Sequence, residues 1–440
     1  MRGEAVSGTG PRDLPARLDP RAGRPPAPRE VRRRGARGAR GGGPRRGARR
    51  RRTSRLLVAL RAVAVLCSVA VLAGSGWGWH LLGVAEASVH RGDGLPTDGN
   101  TDVNGAAHAG RAMNLLLVGM DSRAGLSDAQ EDANSTGGSD GELNTDTMIL
   151  VHVPADGSGA SFVSLPRDTY VGIPGYGEGK LNSAYAHAYD AADGDAQAKD
   201  AAGMGLLVQT ASQFTGLQID HYAEVDLAGF LQLSSIVGGV QVDLCQATTD
   251  SYSGAAFPAG VQTIGPDQAL SFVRQRHGLP QGDIDRTIRQ QVYIAGMLRN
   301  LLSADVLLDP AQQQRIVARV GDSVTLDRGL DVGDLVGQLQ GVRPADLTFQ
   351  TVPGLVNARV HGADVLQPPA ADAVHAFFAD LGEPAAPAAA PSGSAPPAAP
   401  SSATSSATSS AAPATSAAPA ATSGDYDTPQ RTAGDTSCID

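Results

Sequence analysis

Asn114-Leu115-Leu116-Leu117-Val118-Gly119, continued by Met120-Asp121-Ser122-Arg123, is an apolar run that ends at a glycine and passes at once to charge. A short apolar run bounded by a turn signal reads as a buried strand, and the folded body is expected to start there. A Gly/Ser/Asp-rich loop follows at 124–143. Strands are predicted at 148–153 and 161–165, joined by a turn at Pro154-Ala155-Asp156-Gly157. Residues 200–216 read as a helix ending at Gly216, and 225–237 as the end of a strand and a second helix. Pro266 suits the first turn of a helix through 268–273. A longer helix starts near Asp283 or Asp285 and runs to Leu302, with Ile288, Val292, Ala295 and Leu298 on one face. Two helices within 310–341, a strand at 347–352 and a helix at 370–381 complete the series. This alternation predicts an α/β domain over 112–381, three layers (α-β-α) around a central mixed sheet.

The flanks differ from that domain. The 440 residues are 41% hydrophobic but only 4% aromatic, with 54 Gly and 28 Pro, so part of the chain is not expected to pack. Residues 1–55 hold 18 Arg against Glu4, Asp13, Asp19 and Glu30, a charge of +14. With a net charge of −9, the remainder carries −23. Residues 62–85 contain no acid, Lys or Arg, and as a helix would span roughly 36 Å, enough for a hydrocarbon core of about 30 Å.

An anchor is therefore expected at 56–85. The arginines before it place the N-terminus in the cytoplasm and the body outside, in a single-pass cell-membrane protein. Ala85-Glu86-Ala87 is a possible signal-peptidase site, but the stretch before it is far longer than a signal peptide's. The Arg-rich arm at 1–55 lacks interleaved aromatics, so an anionic lipid surface, and not nucleic acid, is its expected partner. Residues 86–111 read as a polar stalk, and 382–425 as a disordered Ala/Pro/Ser/Thr tail. Complexity returns at 426–440 around Cys438. Outside the membrane Cys245 and Cys438 would meet an oxidising compartment, and a disulfide between them is the hypothesis.

Charge concentrates in four segments of the body. Asp121 follows one strand and Asp146, in Asn144-Thr145-Asp146-Thr147, precedes the next. If the strands are neighbours the two carboxylates converge, a donor set that suits Mg²⁺; the alternative is a pair of turn or cap aspartates. The third segment is Ser164-Leu165-Pro166-Arg167-Asp168-Thr169, with Lys180-Leu181-Asn182 beyond it. The fourth is Arg274-Gln275-Arg276-His277, then Asp283, Arg286, Arg289 and Gln290. Arg286 and Arg289 are three apart on one helix and Gln290 lies four on from Arg286, while Asp283 sits one turn before Arg286. Four arginines at a helix N-terminus make an anion site, because the guanidinium fork matches phosphate oxygens and the helix dipole adds to it. A surface salt-bridge network is the alternative. There is no P-loop, no Gly-x-Ser-x-Gly elbow and no His/Cys cluster with zinc spacing, which argues against P-loop hydrolysis, serine hydrolysis and zinc chemistry.

GMDSR, NTDTMILV, SLPRDTYV with IPGYG and KLNSAY, and VRQRHG with GDIDRTIRQQ resemble, in order, the signature of the LytR-CpsA-Psr family of cell-wall glycopolymer ligases. The resemblance covers about 114–300 and continues more weakly to 381. It implies a Mg-dependent phosphotransferase that moves a glycopolymer from a polyprenyl-pyrophosphate carrier to peptidoglycan. By the same resemblance Asp121 and Asp146 hold Mg²⁺, and Arg167, Arg274, Arg276 and Arg286 clamp the pyrophosphate, with Gln290 in support. Asp283 matches the acid before the helix arginines, and Asp168, Lys180 and Asn182 match further motif positions. Asn144 stands where many members have arginine, with Arg123 as a replacement, and the loop at 124–143 is longer than usual. The family's prenyl chain lies in a tunnel, for which the helices at 205–217 and 227–237 are candidates, although core packing competes as their role. A lipid pyrophosphatase and a non-catalytic wall-polymer-binding protein remain as rival readings.

Overall fold

The computed structural model describes residues 50–102, 112–123, 126, 145–303, 309–321, 323–338, 341–382 and 428–440. The arm up to residue 49, the loop at 127–144 with Asn144, and most of the Ala/Pro/Ser/Thr tract lie outside the described residues. The chain divides into two units, 1–69 and 70–440. The second holds the sheet and its helices.

Eight strands make a mixed sheet in the order β1 (His90–Gly92), β12 (Thr325–Asp327), β7 (His221–Val225), β2 (Met113–Met120), β3 (Thr145–Val153), β4 (Ala160–Ser164), β13 (Leu347–Thr351) and β16 (Arg431–Thr432). β2 lies inside it, parallel to β7 and antiparallel to β3. That position explains its unbroken apolar run, because both of its faces are covered. Leu116, Val118 and Met120 join one core cluster with Tyr185, Met204, Leu207, Val374 and Phe378. These come from α2 (Ser183–Ala191), α3 (Ala196–Thr215) and α9 (Ala371–Ala379). Met113 and Leu115 join another with Phe349, Leu330 and Ala295, the last from α6 (Asp283–Leu301), against which Leu335 of α8 (Val332–Gln338) also packs. The fold is thus mixed α/β with a central mixed sheet.

A third cluster gathers α4 (Leu227–Val237), α5 (Pro266–Arg274) and α6 over two hairpins. The hairpins are β8 (Val240–Leu244) with β11 (Gly260–Ile264), and β9 (Thr248–Asp250) with β10 (Ala255–Phe257). Local chemistry sets the helix ends. Asp195 accepts from the backbone N–H of Ala198 at 2.9 Å to start α3, and Gly216 stops it at φ 74°. Asp226 and Gly238 do the same for α4. The tunnel-candidate side chains Leu207, Val208 and Ala211 are fully buried core residues.

Two expectations are corrected. The stalk is not free: β1 pairs with β12, and Asn100 is buried, with Oδ1 accepting from the N–H of Ile219 and Nδ2 donating to its carbonyl. Between the two helices expected in 310–341, α7 (Pro310–Gly321) and α8, the three residues of β12 form a sheet strand. For the anchor, α1 (Arg50–Ser88) is 39 residues long, yet among the described residues no helix is both long and apolar enough to cross a membrane. Its span is diluted by Gly74, Gly76, Gly78 and Gly83, by serines and by His80.

Candidate polyanion-binding site at the carboxyl end of β2

The antiparallel register sets Met120 opposite Thr145, so Asp121 leaves β2 where Asp146 enters β3. The two carboxylates feel each other. Burial first, and then the Asp146 charge, push the Asp121 carboxyl above its ordinary range, against the pull of Arg123 and Arg274. Arg123 lies 3.6 Å from Asp121 through Nη2. Oδ1 of Asp121 is buried without a hydrogen-bond partner. Two adjacent carboxylates, one with an unspent buried oxygen, suit a hard divalent cation that completes its shell with phosphate oxygens and water. Among the described residues no cluster of three or more His, Cys, Asp or Glu offers a metal site built from protein ligands alone.

Arg167 follows β4, the neighbour of β3, and donates through Nη1 to Oδ1 of Asp146 at 2.6 Å. Burial works against its charge, but Asp146, with Asp168 and Asp283, outweighs that and raises the guanidinium's pKa. Asp168 lies 3.5 Å from Nε of Arg167 and accepts from Nζ of Lys180 at 2.6 Å. Lys180 ends β6 (Gly177–Lys180), which forms a hairpin with β5 (Tyr170–Ile173). Asn182 acts through its backbone: its N–H donates to the carbonyl of Arg167 and its carbonyl accepts from Oγ1 of Thr145. It therefore ties the Arg167 loop to the strand that carries Asp146.

The second wall is the segment between α5 and α6. It turns at Gly278 (φ 76°), where a Cβ would meet the carbonyl oxygen of Thr249 at 2.4 Å, and at Gly282 (φ 57°), from which α6 starts. On the first turn Asp283 pairs with Nη2 of Arg286 at 2.6 Å, and Nε of Arg276 lies 3.9 Å from the same carboxylate. Burial is the largest influence on Arg286 and lowers its pKa, and its Nε is buried without a partner. Arg274, the last residue of α5, acts electrostatically on Asp121. Gln290 donates to the carbonyl of Val273 at 3.3 Å and so braces α6 against α5.

Arg289 does not join the cluster, which corrects the expectation drawn from its spacing. It is wholly buried, all three of its guanidinium nitrogens donate elsewhere in the chain, and burial lowers its pKa to about 10. Two residues not singled out in the sequence matter instead. Gln275 is fully buried between the two arginines that flank it. Asp250 accepts from the backbone N–H groups of Arg276 (3.4 Å) and His277 (3.3 Å). The predicted cysteine pair is joined, with Sγ of Cys245 and Cys438 2.06 Å apart.

Two close carboxylates facing a fan of arginines, some with unspent buried N–H groups, make this an α/β domain suited to a phosphate-rich anion and a divalent cation. A family model described as the LytR_cpsA_psr family matches residues 84–378, and the chain belongs to that family. Among curated relatives it is 40% identical over 361 residues to the cell wall biosynthesis protein LcpA of Corynebacterium glutamicum, covering 74% of this chain and 66% of that one. It is 33% identical over 198 residues to the polyisoprenyl-teichoic acid–peptidoglycan teichoic acid transferase TagU of Enterococcus faecalis, covering 44% and 59%. The chain thus spans about two thirds or less of the length of these relatives. A solved LytR-Csp2A-Psr enzyme from Actinomyces oris aligns with a TM-score of 0.46 at 19% identity, covering 67% of this chain and 95% of that one.

Proposed function

We propose that this chain is an extracytoplasmic phosphotransferase that moves a glycopolymer, with its linking phosphate, from a polyprenyl-pyrophosphate carrier to a peptidoglycan hydroxyl. The observation that carries the reading is the continuous set Asp121, Asp146, Arg167, Asp283, Arg286 and Arg276, linked by the contacts described above. Family membership and the name of TagU support the same chemistry, and the name of LcpA supports a place in cell wall biosynthesis.

In this reading Arg167, Arg274, Arg276 and Arg286 bind the pyrophosphate oxygens, where a planar fork serves better than a lysine point charge. The acceptor hydroxyl attacks the phosphorus that bears the sugar. Its bond to the bridging oxygen breaks, and polyprenyl phosphate leaves. The arginines stabilise the charge that grows on the leaving phosphate, and the fixed pairs Asp146–Arg167 and Asp283–Arg286 hold them oriented in advance. The hydroxyl proton passes to a carboxylate of the cluster, Asp283 or Asp168. Asp121 and Asp146 would hold Mg²⁺, which would supply charge neutralisation on the pyrophosphate. Attachment to the membrane rests on α1, where Val63, Leu66, Val69 and Leu72 are 56–71% exposed, more bare apolar surface than one helix keeps in water.

The test is the full chain with a synthetic polyprenyl-pyrophosphate sugar and peptidoglycan fragments, with and without Mg²⁺. Release of polyprenyl phosphate together with sugar phosphate joined to the fragment is expected. Release with free sugar phosphate only would make the protein a pyrophosphatase, and the absence of both would remove the reading.

A further inference from the structure

Arg289 lies one turn beyond Arg286 on α6, yet it is fully buried, and its fork reaches three separate parts of the chain. Nε donates to the backbone oxygen of Asp440 (3.1 Å), Nη1 to Oε1 of Gln275 (2.7 Å) and Nη2 to Oγ1 of Thr248 (3.1 Å). Its guanidinium carbon sits 4.9 Å from the centroid of the Phe272 ring. None of the three acceptors is a side-chain carboxylate. Burying a guanidinium is costly even where, as here, the Asp285 and Asp440 carboxylates offset part of the loss, and this one ties three separate segments together at fixed distances.

Gln275 is where that geometry reaches the site. Its Oε1 accepts from both Arg289 and Oγ1 of Thr248, and its Nε2 donates to the carbonyl of His277 at 3.2 Å. The neighbours of Gln275 in the chain are Arg274 and Arg276. Asp440 in turn is delivered by a docked segment. Cys438 is bonded to Cys245, and Ile439 exchanges backbone hydrogen bonds with Asp243 (3.0 Å) and Cys245 (2.8 Å). Ile439 is buried in the cluster that contains Phe272 and Tyr293, and β16 adds a strand to β13. The docked segment 428–440 lies outside residues 84–378, the part matched to the family.

We propose that the 428–440 segment and Arg289 form a positioning device for Arg274 and Arg276, so that the docked C-terminal peptide is part of the anion site's working structure. Arg289 is a positioning residue: it acts through Gln275 and touches no substrate. The inference rests on the proposed reading only where it takes those arginines to bind pyrophosphate.

Hydrogen–deuterium exchange on the full chain, on Arg289→Lys and on a chain lacking 428–440 tests it, alongside titration with inorganic pyrophosphate. Arg289→Lys keeps the charge and loses the fork. The amides of 275–277 are expected to exchange about tenfold faster in both variants while β2 and β3 keep their protection, as in a local opening. Pyrophosphate binding is expected to weaken by about 10- to 100-fold, the usual effect of losing an orienting partner behind a binding residue. If the deletion also exposes β2 and β3, Arg289→Lys alone decides. A folded Arg289→Lys protein with native exchange at 275–277 would overturn the proposal. Faster exchange there, in a protein whose native form does not bind pyrophosphate, would keep the positioning device and sink the proposed function.

Discussion

Nη1 of Arg167 donates to Oδ1 of Asp146 at 2.6 Å, and this contact joins the carboxylate carried by β3 to the arginine side of the site. Neither residue is fully buried, so the pair is placed to meet a ligand and not to hold the core together. Arg167→Ala is expected to lower polyprenyl-pyrophosphate turnover by about 10²–10³-fold, the range for losing one donor aimed at developing charge. Arg167→Lys should recover little of it, because a single ammonium cannot replace the fork. Steady-state kinetics with a thermal melt separates this outcome from misfolding.

Asp121 gives a prediction for the metal. Its folded carboxyl titrates above the ordinary 3.8, so the stability it contributes is complete below 3.8 and is lost as pH rises through the raised value. In metal-free buffer near neutral pH, Asp121→Asn is therefore expected to raise Tm. Mg²⁺ should raise Tm of the native chain and leave the variant unmoved. Melts in EDTA and in Mg²⁺ read both effects. A native chain whose Tm ignores Mg²⁺ would remove the cation from the proposal.

Glu224 on β7 is pushed up to about 8, by burial first and then by Asp200 and Asp226. Between its ordinary 4.5 and about 8 the unfolded chain has released a proton that the folded chain keeps, so stability falls with rising pH across that window and levels off above it. Glu224→Gln should flatten this slope and give a Tm a few degrees higher at pH 8.5. Equal slopes in the two proteins would show that other groups govern the titration.

The Cys245–Cys438 bond closes a loop with a sequence separation of 193, and Cys438 lies two residues from Asp440. Replacing both cysteines with serine is expected to cost about 2–5 kcal/mol in chemical denaturation. Because the tail braces Gln275 through Arg289, pyrophosphate binding should weaken under conditions in which the protein is still folded. Denaturation curves read together with binding at low denaturant check both parts.

The exposed apolar side of α1 predicts membrane association. The full chain should stay with vesicles after alkaline carbonate extraction, and a chain starting at residue 86 should be released. Release of the full chain would leave the anchor without support.

Sequence pattern determined what depends on near neighbours. The run at 114–119 is apolar throughout because β2 is covered on both faces, and that much can be read along the chain. Gly216 and Gly238 mark helix ends because their left-handed backbone is nearly free of strain only for glycine. Asp121, Asp146, Arg167 and Arg286 were legible because each lies where a strand ends or a helix begins, and such positions leave side chains free for a ligand. Only the tertiary structure separated Arg286 from Arg289. A three-residue step puts both on one side of α6 and both are buried, but which of them reaches the site and which is tied up inside the chain depends on what packs there, and that comes from Thr248, Gln275 and Asp440, distant in the chain. β1 and β12 are not legible for a similar reason: three-residue strands carry no period of their own and are strands only because β12 pairs with β7 and β1 with β12. The cysteines offered a pairing. Docking of 428–440 on the body, through contacts no local pattern encodes, joined it to the arginine site.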